Sequence, residues 1–260
     1  DYSETEYRCR TTYPDRTESN CTERVETCSS TRDGVTETRQ CTRRDCDVDQ
    51  GDPVEVCDNE TKNFTWRGCV GSREPPYNVR DENYAARPVP GVLNIDCATE
   101  ISALTASKSS VISAINAMAV QGSQTYIPGG LVWGHRVLSD LEPFSEGVPY
   151  SNIDDDGAVK ALVLMTDGES TRSKTPSEPF HWKTTRDDAD LLTEQLCTEI
   201  KSANIQLYTI AFEVTDTATR NLLENCATSP DHYFNATDAT ALSQSFSTIA
   251  VSLTELSLTR

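Results

Sequence analysis

A run of apolar residues that ends in a carboxylate is the first feature of this sequence with a chemical meaning. The stretch Ala161–Thr166, ALVLMT, is followed directly by Asp167 and Gly168. Asp-Gly is a favoured turn pair, so the plain interpretation is a turn after a buried strand. The alternative is a ligand site, because open α/β sheets bind ligands beyond the carboxyl ends of their strands. An oxygen-rich site of this kind suits Mg²⁺ or Mn²⁺ and not zinc.

The sequence around Asp167 alternates between strand and helix patterns. Strand patterns cover Val159–Thr166, Ile205–Phe212 and a short stretch, His232–Phe234. Amphipathic helix patterns cover Arg186–Ala203, a short segment capped by Asp216, and a last segment capped by Thr237 or Asp238. This alternation predicts a parallel sheet with helices on both faces. Three strands are few for such a domain, so we expect further strands upstream of Asp1.

Two more helices are predicted before the first of these strands. Thr105 can cap a helix that extends to Met118, with Val111, Ile112 and Ile115 on the same face as Met118. Pro128 is well placed near the start of the next helix, which extends to Ser139.

The first part of the chain has a different composition. Residues 1–90 contain no Leu, Ile or Met, so they cannot bury enough apolar area to offset their chain entropy. Eight of the ten cysteines fall within the first 97 residues. Zinc sites usually show paired short spacings, whereas the closest pair here, Cys41 and Cys46, has no matching second pair. The count and spacing therefore favour disulfide bonds, with short ribbon strands between them.

Composition also limits the function. The formal net charge of −18 disfavours nucleic acid and anionic membranes as partners. We find no apolar stretch long enough to span a bilayer, and the cysteine content indicates an oxidising, extracytoplasmic compartment. No set of residues has a catalytic arrangement, so we expect that the protein is not an enzyme.

Two segments of the second half together resemble a known family. Gln124–Gly134, QTYIPGGLVWG, followed by Leu162–Ser170, LVLMTDGES, is similar to von Willebrand factor type A domains. The order of these segments with LYTIAFEV and CATSPDHYFNATD resembles, more narrowly, the TadG-like proteins of bacterial tight-adherence (Flp) pilus systems. The resemblance implies an α/β, Rossmann-like three-layer sandwich with a mainly parallel central sheet. A disulfide-rich, loop and β-ribbon insertion would interrupt it, with residues 1–90 as the insertion and 91–260 as the C-terminal part of the A domain.

The resemblance also implies a metal site. Thr125 and Asp167 occupy the positions of two ligands of the family's divalent-ion site, for which Mg²⁺ or Mn²⁺ is favoured over Ca²⁺. The family's DxSxS motif is not seen: Asp1–Thr5, DYSET, has a similar residue pattern, but no apolar strand precedes it. Ligand-contacting candidates in the adjacent loop are Gly168, Glu169 and Ser170, with Phe180 and Trp182 as either a lid or a contact surface.

Two particular disulfide pairs are expected. Cys197 lies late in one helix and Cys226 ends another, so we pair them; Cys69 with Cys97 would staple the insertion to the A domain. The other six are expected to pair among themselves in an order that stays open: Cys9, Cys21, Cys28, Cys41, Cys46 and Cys57.

The resemblance implies a non-enzymatic adhesion or pilus-assembly protein at a bacterial surface. Its partners would be a protein or surface ligand and other pilus components. One alternative is a purely structural subunit with a vestigial metal site, and a less favoured one is a metal-dependent hydrolase that uses Asp167.

Overall fold

The computed structural model divides the chain into two units. It describes residues 2–13, 17–32, 35–49, 51–82, 84–97, 99–119, 124–153, 158–174 and 186–258. The first unit is Asp1–Phe64 and the second is Thr65–Arg260. This boundary lies before the one expected between residues 90 and 91. The reason is that residues on both sides of residue 90 are joined within the second unit: strand Trp66–Val70 pairs with Gly91–Leu93, and Cys69 is bonded to Cys97.

The first unit, which we call the ribbon arm, consists of two nested antiparallel strand pairs. Its strands are β1 (Tyr2–Thr12), β2 (Thr17–Arg32), β3 (Val35–Asp49) and β4 (Val54–Phe64). The inner pair is β2 with β3, and the outer pair is β1 with β4, in register from Tyr2 opposite Phe64 to Thr12 opposite Val54. The strands are longer than the short ribbons expected from the sequence.

The ribbon arm has almost no apolar core. Among its described side chains only Phe64 is buried, while Tyr7 and Val25 are 70% and 65% exposed. Three disulfides join its opposing strands instead: Cys9 to Cys57, Cys21 to Cys46 and Cys28 to Cys41. Cys9 and Cys57 are direct cross-strand partners. The three disulfides therefore stabilise paired strands that the burial of apolar side chains alone would not hold together.

Within its described residues, the second unit, the α/β unit, contains five strands and five helices. Its strands are β5 (Trp66–Val70), β6 (Gly91–Leu93), β7 (Ala161–Thr166), β8 (Gln206–Phe212) and β9 (Tyr233–Ala236). Its helices are α1 (Lys108–Asn116), α2 (Ile127–Val137), α3 (Asp187–Ser202), α4 (Thr217–Cys226) and α5 (Ala239–Leu258), and short 3₁₀ helices lie at Tyr150–Asn152 and Pro230–His232.

A three-stranded parallel sheet forms the centre of the α/β unit, in the order β7-β8-β9. Alternate residues of β8 point to opposite faces, as the pleat requires. Leu207 and Ala211 belong to the cluster that contains residues of α2, α3 and α4. Tyr208 and Ile210 belong to the cluster that contains Ile249 of α5. The predicted parallel α/β arrangement is thus present, but with three strands it is smaller than a full three-layer sandwich.

The apolar face predicted for the first helix is not buried. Helix α1 begins after Ser107, whose hydroxyl accepts a hydrogen bond from the Ser110 amide, and not at Thr105. Its apolar residues and the following Met118 are 43–66% exposed: Val111, Ile112, Ile115 and Met118. Periodicity identified a helix face correctly, but no described element packs against it closely enough to bury a residue of α1.

Each of the ten cysteines is part of a disulfide, and Cys197 on α3 is bonded to Cys226 on α4. The Cys69–Cys97 and Cys197–Cys226 bonds are the two pairs named from the sequence. Such bonds are typical of proteins from oxidising compartments. No helix within the described residues combines the length and the hydrophobicity that a membrane span requires.

Candidate functional site

The candidate site begins where β7 ends. Thr166 is the last residue of the strand, and its hydroxyl both donates to the Gly168 carbonyl, at 2.8 Å, and accepts from the Gly168 amide, at 3.3 Å. This turn leaves Asp167 exposed at the carboxyl edge of the sheet. No hydrogen bond or ion pair holds the Asp167 carboxylate within the part of the chain that the structure describes. The carboxylate is therefore accessible to a ligand.

A second loop is bonded directly to the one that carries Asp167. The Thr125 carbonyl accepts hydrogen bonds from the amides of Thr171, at 2.8 Å, and Arg172, at 3.2 Å. The Thr125 amide donates to the Thr171 hydroxyl at 2.7 Å. The two residues predicted as metal ligands, Thr125 and Asp167, thus lie on loops that the backbone joins to each other.

The remaining loop candidates have different environments. Ser170 is buried, and its hydroxyl accepts from the Ile127 amide at the start of α2, so it positions the loops and does not face a ligand. Glu169 is paired with Arg186. A Cβ added at Gly168 would meet no atom within 4 Å, so the turn is open on that side. Phe180 and Trp182 lie outside the described residues.

Arg186 connects the Asp167 loop to the end of the neighbouring strand. Besides Glu169, it contacts Asp190 at 3.2 Å and Asp216 at 3.0 Å, and Asp216 follows β8. Arg186 was not among the site residues predicted from the sequence. The signal available in the sequence was a basic residue just before the acidic first turn of α3. A cation at a helix N-terminus is unfavourable unless carboxylates surround it, so its presence there indicates ion pairs.

Asp216 itself caps helix α4. Its carboxylate accepts from the hydroxyl and the amide of Thr219, both at 2.7 Å. These two bonds, together with Arg186, lower the pKa of Asp216 from 3.8 to about 2. The capping function predicted from the sequence is present, and it ties the edge of the sheet to α4.

Acid should weaken this cap in a defined pH range. Because the pKa of Asp216 is lower in the folded protein, its stabilisation is present above about pH 4 and is lost as the pH falls through about 2. We expect Asp216→Asn, which can still cap, to remove this component. Thermal unfolding of both proteins across this range is the measurement. An identical fall in melting temperature for both would contradict the assignment.

The divalent ion that the sequence resemblance implies needs more ligands than the described residues at this edge of the sheet provide. Mg²⁺ requires about six oxygen ligands in near-octahedral geometry. The resemblance names two candidate ligands here, Thr125 and Asp167, while Arg186 already engages Glu169. Within the described ranges, groups of three acidic, His or Cys side chains close enough to hold a metal occur only in the ribbon arm, and each includes two bonded cysteines. The described residues at this edge of the sheet therefore do not provide a complete set of metal ligands.

Comparison with known proteins defines the family. The model of the von Willebrand factor type A domain matches residues 94–248, which is more than half of the chain and includes both loops of the candidate site. No curated protein and no solved structure matches the chain. Domains of this family commonly mediate protein–protein or ligand binding and adhesion. On this match, together with the parallel sheet and the loops at its carboxyl edge, the chain belongs to the von Willebrand factor type A domain family.

Proposed function

We propose that the chain is a non-enzymatic binding module of a bacterial surface or pilus-assembly protein, similar to TadG-like proteins. Its ligand, a protein or a surface, contacts the joined loops around Thr125 and Asp167. The observation that carries the proposal is the exposed Asp167 carboxylate, which no described residue engages at the edge where α/β sheets bind ligands. The order of sequence segments supports the narrower pilus assignment.

A divalent ion is a proposed part of this function. Thr125 and Asp167 would hold Mg²⁺ or Mn²⁺, whose charge would bridge the loops to an oxygen atom of the ligand. Since this chain provides only part of the ligand set, the remaining oxygens would come from water, from the ligand or from another segment. The bridge requires no reaction, so the proposal involves no enzymatic step.

The incomplete ligand set also favours a second candidate function. A structural subunit of a pilus or surface assembly would retain Asp167 and Thr125 without binding metal. Its loops would then contact a neighbouring subunit directly. The two candidates differ in whether removing metal changes binding.

The test replaces Asp167 by Ala and measures retention of the labelled protein on glass and on a pilus preparation, in Mg²⁺ and in EDTA. We expect Mg²⁺ to increase retention. We expect Asp167→Ala to lower the Mg²⁺-dependent part of the retention at least about tenfold, because losing a direct metal ligand should cost no less than losing a residue that only supports a ligand. The matched control is Asp231→Ala, an exposed carboxylate before β9, at the opposite edge of the sheet. Equal retention in Mg²⁺ and EDTA would reject the metal and support the structural subunit.

A further inference from the structure

A cavity of about 510 Å³ lies beside the segment that connects β5 to β6. Its lining includes three basic side chains, Arg73, Arg87 and Lys174, together with Tyr77 and several prolines. The volume is in the range of pockets that bind small ligands or peptide side chains. All lining residues belong to the α/β unit, and neither Thr125 nor Asp167 is among them.

Arg73 forms the buried wall of this cavity. It is 2% exposed and donates hydrogen bonds to the backbone carbonyls of Arg80, Glu82, at 2.7 Å, and Arg87, at 3.3 Å. Its Nε has no hydrogen-bond partner. Carbonyl oxygens are neutral acceptors, so they hold the guanidinium in place without compensating its charge. A buried charge of this kind is costly unless a counter-charge is present.

Arg87 brings a second positive charge to the Tyr77 ring, near which Arg73 also lies. The guanidinium carbon of Arg87 lies 5.6 Å from the centre of Tyr77, and that of Arg73 lies 5.7 Å from it. Within the described part of the chain, neither arginine forms an ion pair with a carboxylate. The ring attracts each cation, but the two cations repel each other. An anion bound in the cavity would offset that repulsion.

The surroundings leave this positive charge in excess. Glu74, the acidic residue of the first lining, is paired with Lys174. Outside that lining, the Asp81 carboxylate accepts a hydrogen bond from the Tyr84 hydroxyl and offsets part of the charge of Arg136, so Arg73 and Arg87 remain in excess. Arg136 is 1% exposed, and its burial lowers its pKa, with the charge of Arg73 acting in the same direction. In a chain with a net charge of −18, a cavity with this balance is complementary to an anionic ligand.

A second depression extends the cavity along helix α3. It has a volume of about 350 Å³ and shares Ser72, Arg73, Pro75 and Lys174 with the first. It adds Leu191, Leu192 and the carboxylate of Asp188. Leu191 is 54% exposed. The combined groove therefore has a cationic end and an end where Leu191 and Leu192 lie beside the exposed Asp188. This division fits a chain-like ligand, with its negative charge at the cationic end, better than a small symmetric anion.

We propose that this groove binds a short acidic peptide segment of a partner protein. A carboxylate of the peptide pairs with the exposed Arg87, next to the buried charge of Arg73, since guanidinium groups match carboxylate oxygens in geometry and charge. An apolar side chain a few residues away lies against Leu191 and Leu192. This surface is additional to the loops around Asp167 and does not depend on a metal.

The test measures binding of the blocked peptide acetyl-Glu-Gly-Gly-Leu-amide to the whole chain by calorimetry. We expect the Gln analogue of this peptide to bind about tenfold more weakly, because it lacks the carboxylate. We expect Arg87→Gln to weaken binding of the Glu peptide by a similar factor. The Arg87 side chain is exposed, and Arg73 is held by the Arg87 carbonyl and not by its side chain, so the variant should fold.

Two control variants separate this proposal from other effects. Arg80→Gln removes a nearby arginine that is paired with Glu82 and is outside the cavity lining, so it should leave binding unchanged. Asp167→Ala should also leave it unchanged, even if the proposed metal site fails. Equal binding of the Glu and Gln peptides, or no effect of Arg87→Gln, would overturn the proposal. Inorganic phosphate that binds as tightly as the Glu peptide would overturn the peptide assignment.

Discussion

Replacement of the six cysteines of the ribbon arm by serine is expected to unfold the arm and to leave the α/β unit folded. The arm has a single buried residue among its described side chains, so burial contributes little to its stability. Isolated two-stranded ribbons are at best marginally stable in water. Each disulfide typically contributes about 2–4 kcal/mol, largely by restricting the unfolded chain. Loss of all three bonds should exceed the stability that the strand ladder retains.

Hydrogen exchange followed by mass spectrometry measures this result unit by unit. Backbone amides in β1 to β4 should lose their protection, whereas those in β7 and β8 should keep it. The matched control is the double variant Cys197→Ala and Cys226→Ala, which removes one disulfide from the α/β unit and should leave the arm protected. Unchanged protection of β2 and β3 without their disulfides would show that strand pairing alone holds the arm.

Leu196→Ala is expected to destabilise the α/β unit by about 2–5 kcal/mol. Leu196 is 0% exposed on α3 and lies in the same cluster as Leu164 of β7 and Leu207 of β8. Removing its side chain leaves a cavity between the helix and the sheet. A three-stranded sheet has few other contacts through which to close such a cavity, so we expect little relaxation.

Urea denaturation of the α/β unit, followed by tryptophan fluorescence and far-UV circular dichroism, gives this change in unfolding free energy. Leu191→Ala on the same helix is the control, because Leu191 is 54% exposed and its loss should change stability by less than about 0.5 kcal/mol. Similar effects of the two substitutions would mean that α3 does not pack against the sheet through the Leu196 face.

The elements of the α/β unit could be predicted from local patterns. The apolar run ALVLMT is β7, the helix pattern at Arg186–Ala203 is α3 at Asp187–Ser202, and Asp216 caps α4. These signals are short-range: periodicity sets which face of a helix is apolar, and a capping side chain bonds an amide three residues later. The same signals failed for α1, where an apolar face exists but is exposed, because periodicity does not say whether a neighbour covers the face.

The candidate site could be predicted only in part. Asp167 was identifiable because it ends an apolar run, and Thr125 because its segment resembles a family motif. The hydrogen bonds between their loops, the burial of Ser170 and the pairing of Arg186 with Glu169 depend on residues far apart in the chain. Nothing in the spacing of these residues specifies such contacts.

The sequence by itself therefore determined that the two parts of the chain differ in composition and that cysteines support the first part covalently. It also determined the alternation of helices and strands in the second part, including the strand that Asp167 follows. Only the tertiary structure decided which cysteines pair in the ribbon arm, that the loops of Thr125 and Asp167 are joined, and that Arg73 and Arg87 share one tyrosine ring. The physical reason is that composition and periodicity act locally along the chain. Pairing, burial and uncompensated charge depend on which distant segments the fold brings together.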